Sequence, residues 1–353
     1  MKWYKISNAD GKVWIMPSNN LKTGLELYQP SGTKGKLLKR FFPYLHHFKP
    51  VRDKCGAITS DYALNDKLSG LAERIFKTDK LEFSIFEGTP SVHQKTTIQI
   101  FKGQKILGYA KISDKPEIVE LFKKEKDFLG RLVDSGVRNI PKPLYFGDLD
   151  NDSFLFIQDT QKILKSKSPE NWTIQHENFL KELRDKSLQE IKFEITSLYD
   201  SLAYLYKNLP RLPDDVSPSK IKDSIDDILR VYSGKNVSFS VYHADFTPWN
   251  MFMNGENLFV FDWEYSSRYY PAGLDKYHFH LQQWIHVKHW NADKIFDEIN
   301  KQPWFDHFIF KIYLTDIISR YLKREEEIFS NSFIYSLKIW VSLLQKLKFS
   351  TIS

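Results

Sequence analysis

The chain has 353 residues, 42% of them hydrophobic and 27% charged, a soluble balance with enough apolar material for two domains or one large two-lobed unit. Its formal net charge of +7 suits an anionic partner such as a nucleotide, an acidic or phosphorylated glycan or a membrane surface, while the scattered lysines form no motif that reads nucleic acid. The single cysteine, Cys55, excludes an intrachain disulfide and a cysteine-based metal cluster, and no signal-like or membrane-length apolar run is present, so a cytoplasmic protein is expected.

Residues 3–6 and 12–16 read as two short strands around a turn at 8–11. Residues 34–40 are basic and 41–48 aromatic. A short surface helix with its apolar face on the core is expected there, with a face for a membrane or phosphorylated glycan as the alternative. A helix over 61–76 carries Leu64, Leu68, Leu71, Ala72 and Ile75. From 81 the pattern turns to strands, at 81–86, 96–101 and 106–112, and the loop at 87–93 between the first two holds a single glycine, Gly88. Lys111 falls inside the third of these strands. Ser113 and Asp114 before Pro116 signal the start of a helix running to about 133. On that helix Leu121, Phe122, Phe128 and Leu129 share a face with Glu125, placing a carboxylate in the apolar stripe, where an unpaired charge is costly. Lys111 is the candidate cation to meet it.

Strands follow at 144–147 and 153–158. Residues 162–171 are rich in lysine and serine and are expected to connect without packing deeply. Helical spacing runs over 179–209, clearest at Ile191, Ile195, Leu198, Leu202 and Leu205, before a linker at 213–218 and a helix at 221–232. The most informative stretch is 239–264. Apolar runs at 239–242 and 258–261 read as strands that each end where a carboxylate begins, with Asn254-Gly255 as a hairpin turn between them. Asp245, Asn250 and Asp262 are expected to meet at one end of a small sheet, an oxygen-ligand set for a hard divalent cation. A long helix at 274–290 and three more over 292–349 complete the chain. His278, His280, His286 and His289 lack the partners of a zinc motif and are expected as partly buried, hydrogen-bonded rings.

His243-Ala244-Asp245, Asn250 five residues on and Asp262 after the following strand resemble the catalytic segment of the aminoglycoside phosphotransferase and choline kinase group, the small-molecule branch of the kinase-like fold. Landmarks of the resemblance cover residues 81–290. It implies an α+β, bilobal protein-kinase-like fold. Residues 1–157 would form a mostly antiparallel N-terminal sheet with one main helix, 1–60 being extra or divergent and 81–157 binding nucleotide. Residues 158–353 would form a mostly helical lobe for catalysis and acceptor binding. The implied activity is transfer of phosphate from ATP, with Mg2+, to a hydroxyl of a small molecule.

In that scheme Asp245 accepts or orients the acceptor hydroxyl, Asn250 and Asp262 hold the metal, and His243 braces the loop. Lys111, positioned by Glu125, grips the phosphates. Gly88, Thr89 and Ser91 cover them with few glycines, and Ile157, Gln158 and Asp159 meet the adenine. Asp275 braces the loop from the next helix, and Glu264 stands between contact with the acceptor or a metal-bound water and plain solvation. A protein kinase is disfavoured, because the His243 segment lacks the arginine and Asp262 is not followed by Phe-Gly. The basic, ring-rich chain leans toward a sugar or glycan acceptor, as in surface polysaccharide metabolism, with peripheral contact at the inner membrane face. Other readings are a choline or aminoglycoside kinase and a catalytically silent kinase-like module. The acceptor's identity, the choice between ATP and GTP, and the oligomeric state stay open.

Overall fold

The computed structural model describes residues 2–8, 10–30, 32–89, 94–150, 152–325 and 328–347. It contains two compact units, Met1–Pro169 with Phe252–Glu264, and Glu170–Met251 with Tyr265–Ser353. Position 157, the expected division, falls inside the first unit. No helix among the described residues is long and apolar enough to cross a membrane.

The first unit begins β1 (Trp3–Ser7), β2 (Val13–Pro17), α1 (Leu21–Gly24), α2 (Thr33–Leu45), α3 (Lys49–Lys54), β3 (Ala57–Ser60) and α4 (Asp66–Phe76). It continues β4 (Glu82–Phe86), β5 (Thr96–Lys102), β6 (Lys105–Ser113), α5 (Pro116–Asp134), β7 (Pro143–Asp148) and β8 (Phe154–Asp159). The strands form one eight-stranded sheet in the order β3-β1-β2-β4-β5-β6-β8-β7. Residues 1–60 therefore supply three strands of this sheet. The β1–β2 turn is closed by Asn8, whose Oδ1 accepts from the amides of Asp10 and Lys12.

Strand alternation divides the residues of β5, β6 and β8 between two faces. Ile98, Ile100, Ala110, Leu155 and Ile157 pack into a core with Leu68 and Ala72 of α4. On the other face the register sets Lys111 opposite Thr97 and Phe156, and Tyr109 opposite Gln99 and Gln158. The helix expected at 61–76 starts only at Asp66, because Asn65 caps it by accepting from the amides of Lys67 and Leu68. The helix α5 buries Ile118, Phe122, Phe128, Leu129 and Leu132 and, among them, Glu125.

The second unit holds α6 (Ile174–Ser187), β9 (Gln189–Lys192), α7 (Ser197–Asn208), α8 (Pro218–Tyr232) and β10 (Asn236–Tyr242). The hairpin of β11 (Met251–Asn254) and β12 (Asn257–Val260) follows, and all of it but Met251 clusters with the first unit. Then come β13 (Ser267–Tyr270), α9 (Leu274–His286), α10 (Ala292–Ile299), α11 (His307–Leu322) and α12 (Asn331–Lys346). The helices enclose a core that includes Leu202, Ile225, Leu281, Ile317 and Trp340.

Four expectations need correction. The helical run at 179–209 is broken: Ile191 lies in β9, paired with Val237, and Ile195 is 66% exposed. The second helix starts only after Thr196, whose side chain accepts from the amide of Tyr199. In the lysine-rich connection at 162–171 the correction is confined to Lys162, which is buried and donates to the carbonyl of Glu26, while 163–171 are exposed or half-buried as expected. The strands at 239–242 and 258–261 do not share a sheet, β10 pairing with β9 and β13 and β12 with β11. Finally, α2 turns most of its large apolar residues outward, with only Phe42 buried.

Candidate active site

In the first unit the sheet brings Lys111 up from β6 against α5. Its Nζ lies 2.7 Å from Glu125 Oε2 and 2.8 Å from Asp262 Oδ1. Glu125 is fully buried, and its other oxygen accepts from the amide of Trp263 at 3.3 Å. Burial pulls the Lys111 pKa down, but the carboxylates of Asp262, Glu125 and Glu264 outweigh it and hold the ammonium well above the ordinary lysine value. Lys95 adds a second ammonium, donating to Glu264 and lying 3.9 Å from Asp262. Oxygens of Glu125, Asp262 and Glu264 come within 4.8 Å of one another. Their clustered hard oxygen donors are of the kind a divalent cation such as Mg2+ takes.

The backbone that delivers Asp262 is in the left-handed region, with φ +66°. Such a conformation costs about 1–3 kcal/mol in a non-glycine residue and persists where the surroundings over-determine it. Gly88 also has positive φ, and a Cβ there would lie 2.4 Å from the Lys95 carbonyl oxygen, so this loop position admits only glycine. Thr89 is exposed at the end of the described loop, and Ser91 lies outside the described residues. Ile157 and Gln158 are in β8, paired with β6 on one side and β7 on the other. Gln158 Oε1 is buried and has no hydrogen-bond partner among the described residues. Asp159 accepts from the amide of Lys142 at 2.6 Å and donates its own amide to the Lys142 carbonyl.

The second unit holds Asp245 and Asn250. Asn250 Nδ2 donates to Asp245 Oδ2 at 2.7 Å and to the Asp245 carbonyl at 3.0 Å, a pairing set by the short turn after Pro248. The other carboxylate oxygen, Oδ1, lies 3.2 Å from His278 Nε2. Burial lowers the His278 pKa, Asp245 opposing, which favours the neutral ring. Tyr313, whose pKa burial holds well above the ordinary phenol value, remains a hydroxyl 3.1 Å from His278 Nδ1. The tautomer consistent with both neighbours donates from Nε2 to Asp245 and accepts at Nδ1 from Tyr313.

His243 accepts through Nδ1 from the amide of Asp245 at 3.2 Å and so braces the loop through the backbone. Asp275, in the first turn of α9, accepts from the amides of His243 and Ala244, each at 3.0 Å. Ala244 has φ +68°, in the left-handed region that glycine enters at least cost. Its carbonyl accepts from Arg320, which also donates to Tyr242 Oη and to Asp316. Asp316 in turn accepts from Ser201 and Tyr270.

Lys95, His278, Arg320 and Asp316 were not singled out for these contacts in the sequence. Three of them left a signal. Asp316 and Arg320 are an i,i+4 pair inside a mostly apolar helix, and His278 follows Asp275 at i+3, on the same face of α9. Lys95 sits in an unpatterned loop and left none.

No family model matches the chain, and no curated protein matches it. Among solved structures, a thermostable mutant of aminoglycoside phosphotransferase APH(4)-Ia in ternary complex with ADP and hygromycin B overlays with a TM-score of 0.50 at 12% identity, over 79% of this chain and 98% of that one. A second ternary complex of that protein, with AMP-PNP and hygromycin B, overlays with a TM-score of 0.50 at 12% identity, over 81% and 99% of the two chains. An antiparallel N-terminal sheet followed by a helical C-terminal part, overlaid along nearly the whole of those chains, gives this protein the α+β, kinase-like fold of the aminoglycoside phosphotransferases.

Proposed function

We propose that the protein is a Mg2+-dependent phosphotransferase that moves the γ-phosphoryl group of ATP to a hydroxyl of a small molecule. One observation carries the reading: a buried lysine held between a helix glutamate and Asp262, at 2.7 and 2.8 Å. An ammonium fixed in this way needs no reorganisation to neutralise phosphate oxygens. Asp262 and Asn250 would hold the metal ion, which when bound neutralises charge on the transferring phosphate. Asp245 orients the acceptor hydroxyl and takes its proton as the new oxygen–phosphorus bond forms and the bond to the leaving ADP oxygen breaks. Gly88 and Thr89 would cover the phosphates. The base would be met where β8 ends, at Ile157, Gln158 and Asp159, with Gln158 Oε1, which has no hydrogen-bond partner among the described residues, as an acceptor.

The acceptor we favour is a saccharide. Trp249, between Asp245 and Asn250, is 39% exposed, a ring face on which a sugar can stack. The test is transfer from γ-labelled ATP with Mg2+ to a panel of sugars, surface glycans, aminoglycosides and choline, run beside Asp245→Asn and with the metal removed by EDTA. Labelled saccharide is expected, falling about 10²–10⁴-fold in the variant and lost with EDTA. Labelling of choline or an aminoglycoside instead would keep the enzyme and replace the acceptor. Absence of both turnover and Mg2+-dependent nucleotide binding would leave a silent kinase-like module.

A further inference from the structure

The helix α2 carries two apolar rows where a soluble surface helix needs one. Leu38 and Phe42 point into a core with Tyr4, Trp14 and Met16. Leu37, Phe41, Tyr44 and Leu45, at i, i+4, i+7 and i+8, are 50%, 45%, 66% and 39% exposed, and Phe48 just beyond the helix is 61% exposed. Spacing of this kind makes one continuous outward stripe, and such patches mark a docking surface.

Charge identifies the occupant. Residues 27–52 contain no aspartate or glutamate, yet hold Lys34, Lys36, Lys39, Arg40, Lys49 and Arg52. Beside the stripe a pocket of about 400 Å³ is lined by Lys22, Lys36, Lys39 and Arg40, and Tyr44 belongs to both pocket and stripe. The pocket's one carboxylate, Glu26, is already engaged by Lys39 at 3.1 Å and Lys162 at 3.7 Å. The positive field of the pocket is thus left for an outside anion.

We propose that α2 docks the protein on an anionic membrane surface. The pocket takes a phosphate-bearing lipid headgroup, and the rings of Phe41, Tyr44 and Phe48 enter the boundary between headgroups and acyl chains. A basic margin, a cationic pocket and an aromatic row on one short helix are the features such a surface recognises. A protein partner would not require the field to be of one sign.

The experiment is co-sedimentation of the full chain with vesicles of phosphatidylcholine alone and of phosphatidylcholine with phosphatidylglycerol. Binding is expected only to the second kind, weakening as salt is raised. Lys36→Glu with Arg40→Glu should reduce partition about tenfold or more, since each basic group near the surface contributes roughly a factor of five. Phe41→Ser with Tyr44→Ser should reduce it comparably. These side chains are exposed, and circular dichroism of each variant checks that the fold is kept. Equal binding to both vesicles, or to neither, overturns the proposal. So does calorimetric binding of free glycerol phosphate without vesicle binding, which would make the pocket a site for a soluble anion. A wild-type dimer that Phe41→Ser disperses, again without vesicle binding, would assign the stripe to self-association. None of these outcomes depends on phosphate transfer.

Discussion

Lys111 is the residue on which the first unit's site depends. Removing its charge leaves Glu125, which has no solvent access, facing Asp262 and Glu264 with Lys95 as the remaining ammonium. Breaking a buried pair from one side costs about 3–5 kcal/mol. Lys111→Met should lower unfolding stability in urea by that order, and adding Glu125→Gln should recover a large part of the loss. A smaller effect that the second change does not reverse would mean that the pair is solvated. The same logic of orientation applies to His278, which holds Oδ1 of Asp245 while Asn250 holds Oδ2. With one anchor gone the carboxylate can rotate, and a misplacement of this size costs on the order of 10- to 100-fold in rate. His278→Ala should lower kcat by that factor with KM little changed, and His278→Gln, which keeps a donor, should lower it less. A change confined to KM would remove the positioning role. Lys111 and Glu125 were legible in the sequence because a charge in an apolar stripe demands a partner. Arg320 left only its i,i+4 spacing from Asp316; its bonds to the loop carbonyl and the Tyr242 hydroxyl were not legible, since both partners lie far away in the chain.

Among the elements, α7 shows how a local signal can override periodicity. Apolar spacing continues from Ile191 to Leu205, yet the helix begins at Ser197 because Thr196 caps it, accepting from the Tyr199 amide while donating to the Phe193 carbonyl. The residues before it extend into β9, where they pair with β10, the strand that leads into the Asp245 loop. Thr196 is fully buried, so no water replaces the lost contacts. Thr196→Ala should destabilise the protein by about 1–2 kcal/mol, read as a lower urea midpoint at unchanged slope. A neutral result would show that the β9–β10 pairing alone fixes the helix start. In the first unit most element types were legible, because strand alternation and the proline-led start of α5 are local properties. What α2 does with its second apolar row was not, since a helical stripe looks the same whether it faces a core or water.

At the scale of the whole molecule, pH reaches stability through Asp275. Burial pushes its pKa up to about 7, the amides of His243 and Ala244 and the Arg320 charge opposing. The folded value lies above that of the unfolded chain, so the stabilising contribution of the protonated form is complete below about pH 4 and is lost as pH rises through about 7. The amplitude is on the order of a few kcal/mol. Urea unfolding of the wild type between these limits should show this loss, and Asp275→Asn, which cannot ionise, should lack it. Parallel profiles for the two proteins would mean that the carboxylate stays ionised in the fold.

The sequence alone determined what depends on near neighbours: the strands that alternate, the capped and proline-led helix starts, the hairpin at Asn254-Gly255, and the placing of Asp245 and Asp262 after apolar runs. The tertiary structure alone decided which distant groups meet. It joined β1, β2 and β3 to the main sheet, brought Asp262 and Glu264 to the Lys111 and Lys95 ammoniums, and tied the Asp245 loop to α9 and α11. The reason is physical: backbone preference and side-chain periodicity act over a few residues, whereas burial and charge pairing act through space and depend on how the elements pack.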